Sequence, residues 1–192
     1  MSTGYDYFDR MYEVPDPWSF ETSAYEHRKY ALTVAALPRA RYRRCFEPGC
    51  SVGVLSERLA DTTDELVAVD LHPGPVERAR ERLAGRAGVT VDRLTIPDEW
   101  PSGTFDLIVL SEVAYYFDDR GLSRLVERVT DGLEPGGDLV LVHWRGPTDY
   151  PQTGDEVHDM WAGAAGFEPV VHHVEESFRL DVLRSAPVAE RG

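Results

Sequence analysis

The sequence predicts an α/β fold, a seven-stranded, mostly parallel sheet in a three-layer αβα sandwich that forms a single domain. Short apolar runs alternate with segments of helical periodicity along the chain, the order expected of parallel strands joined by crossover helices. The run Leu107-Ile108-Val109-Leu110 has no polar interruption, as a strand covered on both faces requires. The run Cys45-Phe46-Glu47 ends in an acid and passes through Gly49 and Gly53 into an amphipathic segment, which reads as strand, tight loop and helix start. A chain of 192 residues suits one domain that buries about 70 % of its unfolded surface.

From the N-terminus, residues 1–22 are rich in Tyr, Asp and Pro, and Asp16-Pro17-Trp18 is a turn that stops any helix before it. They are expected to form a lid segment ahead of the domain proper at 23–185, with 186–192 as a C-terminal tail. Tyr30, Leu32, Val34, Ala35 and Leu37 sit at helical spacing and Pro38 stops the run, so a helix is expected from Ser23 to Leu37. A strand at 43–47 leads to a helix from Val52 to Ala60, with Val52, Leu55 and Leu59 on one face. A second strand at 65–69 ends at Asp70 and is followed by a charge-laced surface helix from Pro73 to Leu83. Val89-Thr90-Val91 makes a third strand, and the stretch from Phe105 a fourth. The helix from Arg120 to Leu133 stops before Pro135-Gly136-Gly137, a turn into a fifth strand at 139–142. Thr153 or Asp155 is expected to cap one more helix reaching Ala164. The alternating stretches 167–174 and 178–183 close the sheet as a final pair.

The loop at 47–53 and the acid at 70 define the ligand. Glycine at Gly49 turns the backbone without steric cost, and glycine at Gly53 is expected to let a ligand lie against the main chain. Asp70 sits where a carboxylate accepts both hydroxyls of a ribose, which implies a nucleoside-bearing cofactor. A dinucleotide loop would carry a third glycine and face a pyrophosphate with helix amides. Here Leu55 and Ser56 follow Gly53, and Glu47 at the mouth repels phosphate and suits a cation. A nicotinamide oxidoreductase is the weaker alternative for that reason.

The formal charge of −14 disfavours sequence-independent binding to nucleic acid, which needs clustered Lys and Arg, and Lys29 is the sole lysine. The first residues carry no apolar signal core, and no run approaches the roughly 18 apolar residues of a membrane span. A cytoplasmic protein acting on a small molecule, without nucleic-acid or membrane partners, is therefore expected. Cys45 and Cys50 match no metal spacing, and His158, His172 and His173 lack acids at metal spacing, so no metal is expected.

The ordered set Glu47-x-Gly49…Gly53, Asp70, Phe105-Asp106-Leu107-Ile108 and Pro135-Gly136-Gly137 resembles the motifs of class I S-adenosylmethionine-dependent methyltransferases, over about residues 23–185. That resemblance implies a Rossmann-like fold and S-adenosyl-L-methionine as cofactor, with S-adenosyl-L-homocysteine as product. Asp16-Pro17-Trp18, the segment Trp100-Pro101-x-Gly103-x-Phe105-Asp106-Leu107 and Ser111-Glu112-x-x-Tyr115-Tyr116 look more narrowly like the nodulation protein S family. Its members N-methylate the deacetylated amine of a chitooligosaccharide, which implies an amino-sugar or glycoside-like acceptor here. The resemblance implies cofactor roles for Glu47, Gly49, Ser51, Gly53, Asp70, Leu71 and Ser111. Arg28 is a further candidate for the cofactor carboxylate, Cys50 for a backbone contact, and Glu112 and Tyr116 for further contacts to the cofactor. Many methyltransferases place an acid after the third strand for the adenine amine; Asp92 lies too early, so apolar contacts around Ile96 are expected to hold the base.

Methyl transfer from a sulfonium is an in-line displacement, which chiefly needs alignment and exclusion of water. An amine acceptor must shed a proton, and Glu112 and His143, both at carboxyl ends of strands, are the candidate bases. Glu112 has a turn-capping or cofactor-binding alternative, and His143 that of a satisfied strand-end histidine. Trp18, Tyr7 and Trp144 are candidates for an aromatic rim. An O-methyltransferase of a secondary metabolite and a non-catalytic cofactor-binding regulator are the rival functions.

Overall fold

The computed structural model describes residues 3–14, 16–164 and 166–186, so the tail expected at 186–192 lies outside the described residues apart from Ala186. Its strands are β1 (Tyr42–Pro48), β2 (Thr63–Asp70), β3 (Val89–Arg93), β4 (Phe105–Ser111), β5 (Leu133–Trp144), β6 (Phe167–Val174) and β7 (Phe178–Ser185). They form one seven-stranded sheet in the order β3-β2-β1-β4-β5-β7-β6. The first five run parallel, and β7 is antiparallel to both β5 and β6. The helices are α1 (Tyr5–Met11), α2 (Ala24–Ala35), α3 (Val54–Leu59), α4 (Pro73–Arg82), α5 (Asp119–Gly132) and α6 (Gly154–Ala162), with a 3₁₀ turn at Ala114–Tyr116.

Successive strand side chains point to opposite faces, and both faces are covered. Cys45, Leu107, Val109 and Val140 enter one core with residues of α2, α3 and α4. Phe46, Ile108, Leu110 and Leu139 enter a second core with residues of α5 and α6. Two covered faces are why the central strands read as unbroken apolar runs. The acids at the opposite edge of the sheet are structural: Asp106 accepts the Arg43 and Arg44 backbone N–H groups at 3.0 and 2.8 Å, and Asp138 accepts the Tyr42 hydroxyl at 2.7 Å.

Two local expectations change. The glycine turn at 135–137 lies inside β5, because Leu133 still pairs with Phe105 while Asp138 pairs with Leu107, and residues 134–137 bulge out opposite Asp106 alone. Helix α3 begins at Val54 instead of Val52, since Gly53 precedes it in the left-handed conformation at φ +79°. The helix at 154 is capped by Thr153 in a capping box with Glu156, which decides between the two caps considered.

Residues 3–14 and 16–22 cross the carboxyl edge of the sheet. Phe8 packs edge-on against Tyr116 with ring centroids 4.9 Å apart, and the Tyr7 and Tyr150 hydroxyls are 3.1 Å apart. Further on, Asp16 caps a turn by accepting the Phe20 and Glu21 N–H groups at 2.9 Å each. Glu21 then pairs with Arg78 and Arg82 of α4. No helix among the described residues is long and apolar enough to cross a membrane.

Candidate functional site

The order β2-β1-β4-β5 places a topological switch point between β1 and β4, and ligands of open α/β sheets bind beyond the carboxyl ends of strands at such a point. A cavity of about 1020 Å³ lies there. Pockets for single ligands span roughly 300–1,000 Å³, so this one has room for a nucleoside-sized molecule and an acceptor together.

The β1–α3 loop forms one wall. Gly49 has φ +77°, and a Cβ there would meet the Val113 side chain at 2.9 Å, so only glycine keeps the loop seated. The N–H groups of Gly49 and Cys50 both donate to Val69 O, at 2.7 and 3.0 Å, which ties the loop to β2. Ser51 is left-handed without being glycine, at φ 48°. Its N–H donates to Asp70 Oδ2 at 3.0 Å, and its hydroxyl is 2.9 Å from that of Tyr12. Asp70 Oδ1 accepts the His72 N–H at 3.0 Å. Both oxygens are thereby fixed, with lone pairs left over for a diol. Burial raises the Asp70 pKa, opposed by the His72 and Ser51 amides. Leu71, Leu94 and Ile96 supply an apolar stretch of the same cavity.

Glu47 is the test of what this wall holds. It lines the cavity and is 3 % exposed, and its Oε2 has no hydrogen-bond partner. Burial pushes its pKa up to about 8, with the Ser56 hydroxyl opposing and the Asp70 carboxylate adding to the rise. A buried acceptor left open costs free energy unless a donor or cation meets it. The residues therefore fit a ligand with a diol at one end and positive charge at the other, as S-adenosylmethionine has.

The opposite wall is built around a buried ammonium. Lys29 of α2 is 2 % exposed and donates to Glu26 Oε1 at 3.0 Å and to Glu112 Oε1 at 2.6 Å. It also lies 5.2 Å from the Tyr25 ring centroid and 5.9 Å from that of Tyr30. Burial pulls its pKa down, but Glu112 and Glu26 outweigh that and hold it charged. Glu112 Oε2 accepts the Tyr115 hydroxyl at 2.7 Å and the Trp144 N–H at 3.0 Å. Trp144 is 37 % exposed at the rim, its ring edge-on to Tyr25 at 5.9 Å. Helix α2, the end of β4, the 3₁₀ turn and the end of β5 thus meet at one ionic hub.

Of the residues singled out from sequence, Glu47, Gly49, Cys50, Ser51, Asp70, Leu71, Ile96, Ser111, Glu112 and Tyr116 all reach the cavity. Three do not. Arg28 points away from it, 57 % exposed, and makes a two-pronged ion pair with Glu175 at 2.8 Å for each bond. Gly53 faces α4, where an added Cβ would lie 3.1 Å from that of Ala79, so its glycine serves helix packing and not ligand approach. His143 is fully buried away from the cavity: Nε2 accepts the Ala114 N–H at 3.2 Å, and Nδ1 is 3.1 Å from His158 Nε2. His158 in turn reaches Asp181 at 2.7 Å. Burial first, and then His158 and Lys29, keep His143 well below the ordinary histidine range. It is a neutral strut with both nitrogens occupied and no acceptor within reach.

The residues missed from sequence are Glu26, Lys29, Tyr12 and Tyr30. One signal was present: a sole lysine in a chain otherwise supplied with arginine, three residues after a glutamate and beside a tyrosine on the inward face of a helix.

The switch-point cavity, the acid-bearing β1 and the buried carboxylate of Asp70 at the end of β2 define a class I S-adenosylmethionine-dependent methyltransferase. Comparison with known proteins narrows the class. The family model for nodulation protein S (NodS) matches residues 2–188, and the chain belongs to that family. Nodulation protein S of Bradyrhizobium diazoefficiens is 30 % identical over 171 residues, covering 88 % of this chain and 78 % of that one. A putative methyltransferase from Pseudomonas syringae shares 42 % identity, with a TM-score of 0.76 over 84 % of this chain and 99 % of its own. The N-methyltransferase NodS from Bradyrhizobium japonicum WM9, solved with S-adenosyl-L-homocysteine, matches in fold with a TM-score of 0.85 at 23 % identity, over 94 % of this chain and 97 % of that one.

Proposed function

We propose that this enzyme N-methylates the amine of a carbohydrate-like small molecule. The observation that carries the reading is the hub, where two carboxylates, Glu26 and Glu112, face a single ammonium on the cavity wall. A wall with one surplus negative charge in a partly desolvated site favours a cationic acceptor over a neutral hydroxyl. Trp144, half-exposed beside it, offers an aromatic face to a sugar ring. The Bradyrhizobium japonicum relative is an N-methyltransferase, which agrees in reaction type.

When bound, S-adenosylmethionine supplies a methyl group activated on a sulfonium. In this reading Asp70 holds the ribose hydroxyls, Glu47 meets the positive methionine end, and Leu71 and Ile96 flank the base. Residues 3–14 and 16–22 roof the site through Phe8, Tyr12 and Trp18 and keep water from it. Lys29 fixes the orientation of both hub carboxylates. With both cysteines free and buried, a reducing cytoplasm is the compartment proposed.

The test is methyl transfer to a β-1,4-linked glucosamine tetramer, to its fully N-acetylated counterpart, and to a panel of phenolic and sugar hydroxyl acceptors. Product NMR assigns the methylated atom. We expect a methyl on nitrogen of the free amine and none on the acetylated tetramer. Methylation confined to hydroxyl oxygen would overturn the reading.

A further inference from the structure

We infer that Glu26 binds the ammonium of the acceptor and takes its proton before methyl transfer, an assignment that rests on the amine reading above. Among the described residues two carboxylates stand in the hub wall, and they are not equivalent. Glu112 accepts from Lys29, from the Tyr115 hydroxyl and from the Trp144 N–H. Three donors thus already engage its two oxygens. Its role is to anchor the hub to β5 and the 3₁₀ turn. His143 has no free nitrogen.

Glu26 is differently placed. Its Oε1 takes the Lys29 hydrogen bond, whereas Oε2, in ion-pair contact with the same nitrogen at 2.9 Å, is buried and receives no well-aligned hydrogen bond, the Tyr30 hydroxyl lying beside the carboxyl. That oxygen keeps a lone pair for a ligand at the cavity wall. Burial is the largest influence on its pKa and raises it, with Lys29 opposing, Glu112 adding to the rise and the Tyr30 hydroxyl opposing again. The carboxyl is thus a stronger base than a solvated one. A protonated amine also supplies the second positive charge that the Glu26–Lys29–Glu112 set lacks.

The step balances as follows. An ammonium N–H proton passes to Glu26, which becomes a neutral acid, and the freed nitrogen lone pair attacks the methyl carbon. The new N–C bond forms as the C–S bond breaks, its electron pair going to sulfur. The product is a secondary ammonium, and Glu26 returns its proton to solvent.

The test is Glu26→Gln, which keeps side-chain volume and leaves the backbone N–H that Ser23 caps in place. The assay follows kcat and KM for the glucosamine tetramer across pH, with S-adenosyl-L-homocysteine affinity measured by calorimetry. We expect homocysteine-product affinity to stay within about twofold and kcat/KM to fall about 100-fold at pH 6. That defect should shrink about tenfold per pH unit as the amine deprotonates unaided, a convergence that a merely structural role would not produce. Glu26→Asp, which restores an acid one methylene shorter, should recover part of kcat and the wild-type pH dependence. It also serves if the glutamine variant does not fold. A Glu26→Gln enzyme with wild-type kcat and an unchanged pH profile overturns the assignment while leaving the amine reading intact. A wild type that methylates hydroxyls and no amine overturns both.

Discussion

Removing the charge of Glu47 should make the ligand-free protein more stable at neutral and alkaline pH while destroying its affinity for the cofactor. The carboxyl is raised from 4.5 to about 8 by burial. The sign follows from linkage: a raised acid is favoured in the fold while protonated, so nothing is lost below about pH 4, where both states carry the proton. As pH climbs past 4.5 the unfolded chain ionises and the folded one does not, and folding stability drains away at about 1.4 kcal/mol per pH unit. The loss is complete above the folded value, where it totals about 5 kcal/mol, an order-of-magnitude figure. Glu47→Gln keeps shape and hydrogen-bonding capacity without the charge. Urea unfolding of wild type and variant at pH 5, 7 and 9 measures the difference, other groups being common to both. The variant should gain several kcal/mol relative to wild type between pH 5 and 9. Calorimetry at pH 7 in two buffers of different ionisation enthalpy should show wild type releasing close to one proton on binding S-adenosylmethionine, because a cation beside Glu47 restores its ionised form. Parallel stability profiles and no proton release would refute the view that Glu47 waits, neutral, for a positive ligand.

Arg28→Ala should leave S-adenosyl-L-homocysteine affinity within about twofold by calorimetry, since an exposed ion pair with Glu175 contributes little and lies outside the cavity; a tenfold loss would restore the carboxylate-binding role. His143→Leu should lower stability by roughly 2–4 kcal/mol in urea unfolding, because the Ala114 N–H and His158 lose buried partners. Cofactor affinity and the pH dependence of methyl transfer should survive that change, whereas a catalytic base at this position would take the pH dependence with it.

The cofactor half of the site was legible because its geometry is local. Glu47, Gly49 and Ser51 fall within a few residues of one another, and a single βα unit later β2 delivers Asp70 beside them, so spacing along the chain almost equals arrangement in space. Gly53 shows the limit of that logic. Its left-handed turn was readable, but whether its bare face met a ligand or a helix depended on where α4 came to rest. His143 was placed correctly at a strand end, yet a strand end faces a cavity or a packed helix according to what covers it, and α6 covers this one through His158.

From the sequence alone follow the layered fold, the strand-by-strand alternation and the nucleoside loop, since each rests on apolar period, glycine conformation and short-range spacing. Tertiary structure alone decided the wall around Lys29. Lys29 meets Glu112 across 83 residues, and Arg28 is drawn to Glu175 across 147. Neighbours on one helix, the two cations take opposite courses, one into the cavity and one to the surface. Which face of α2 turns inward is set by packing against the sheet, and long polar side chains then find whichever partners that packing brings within reach.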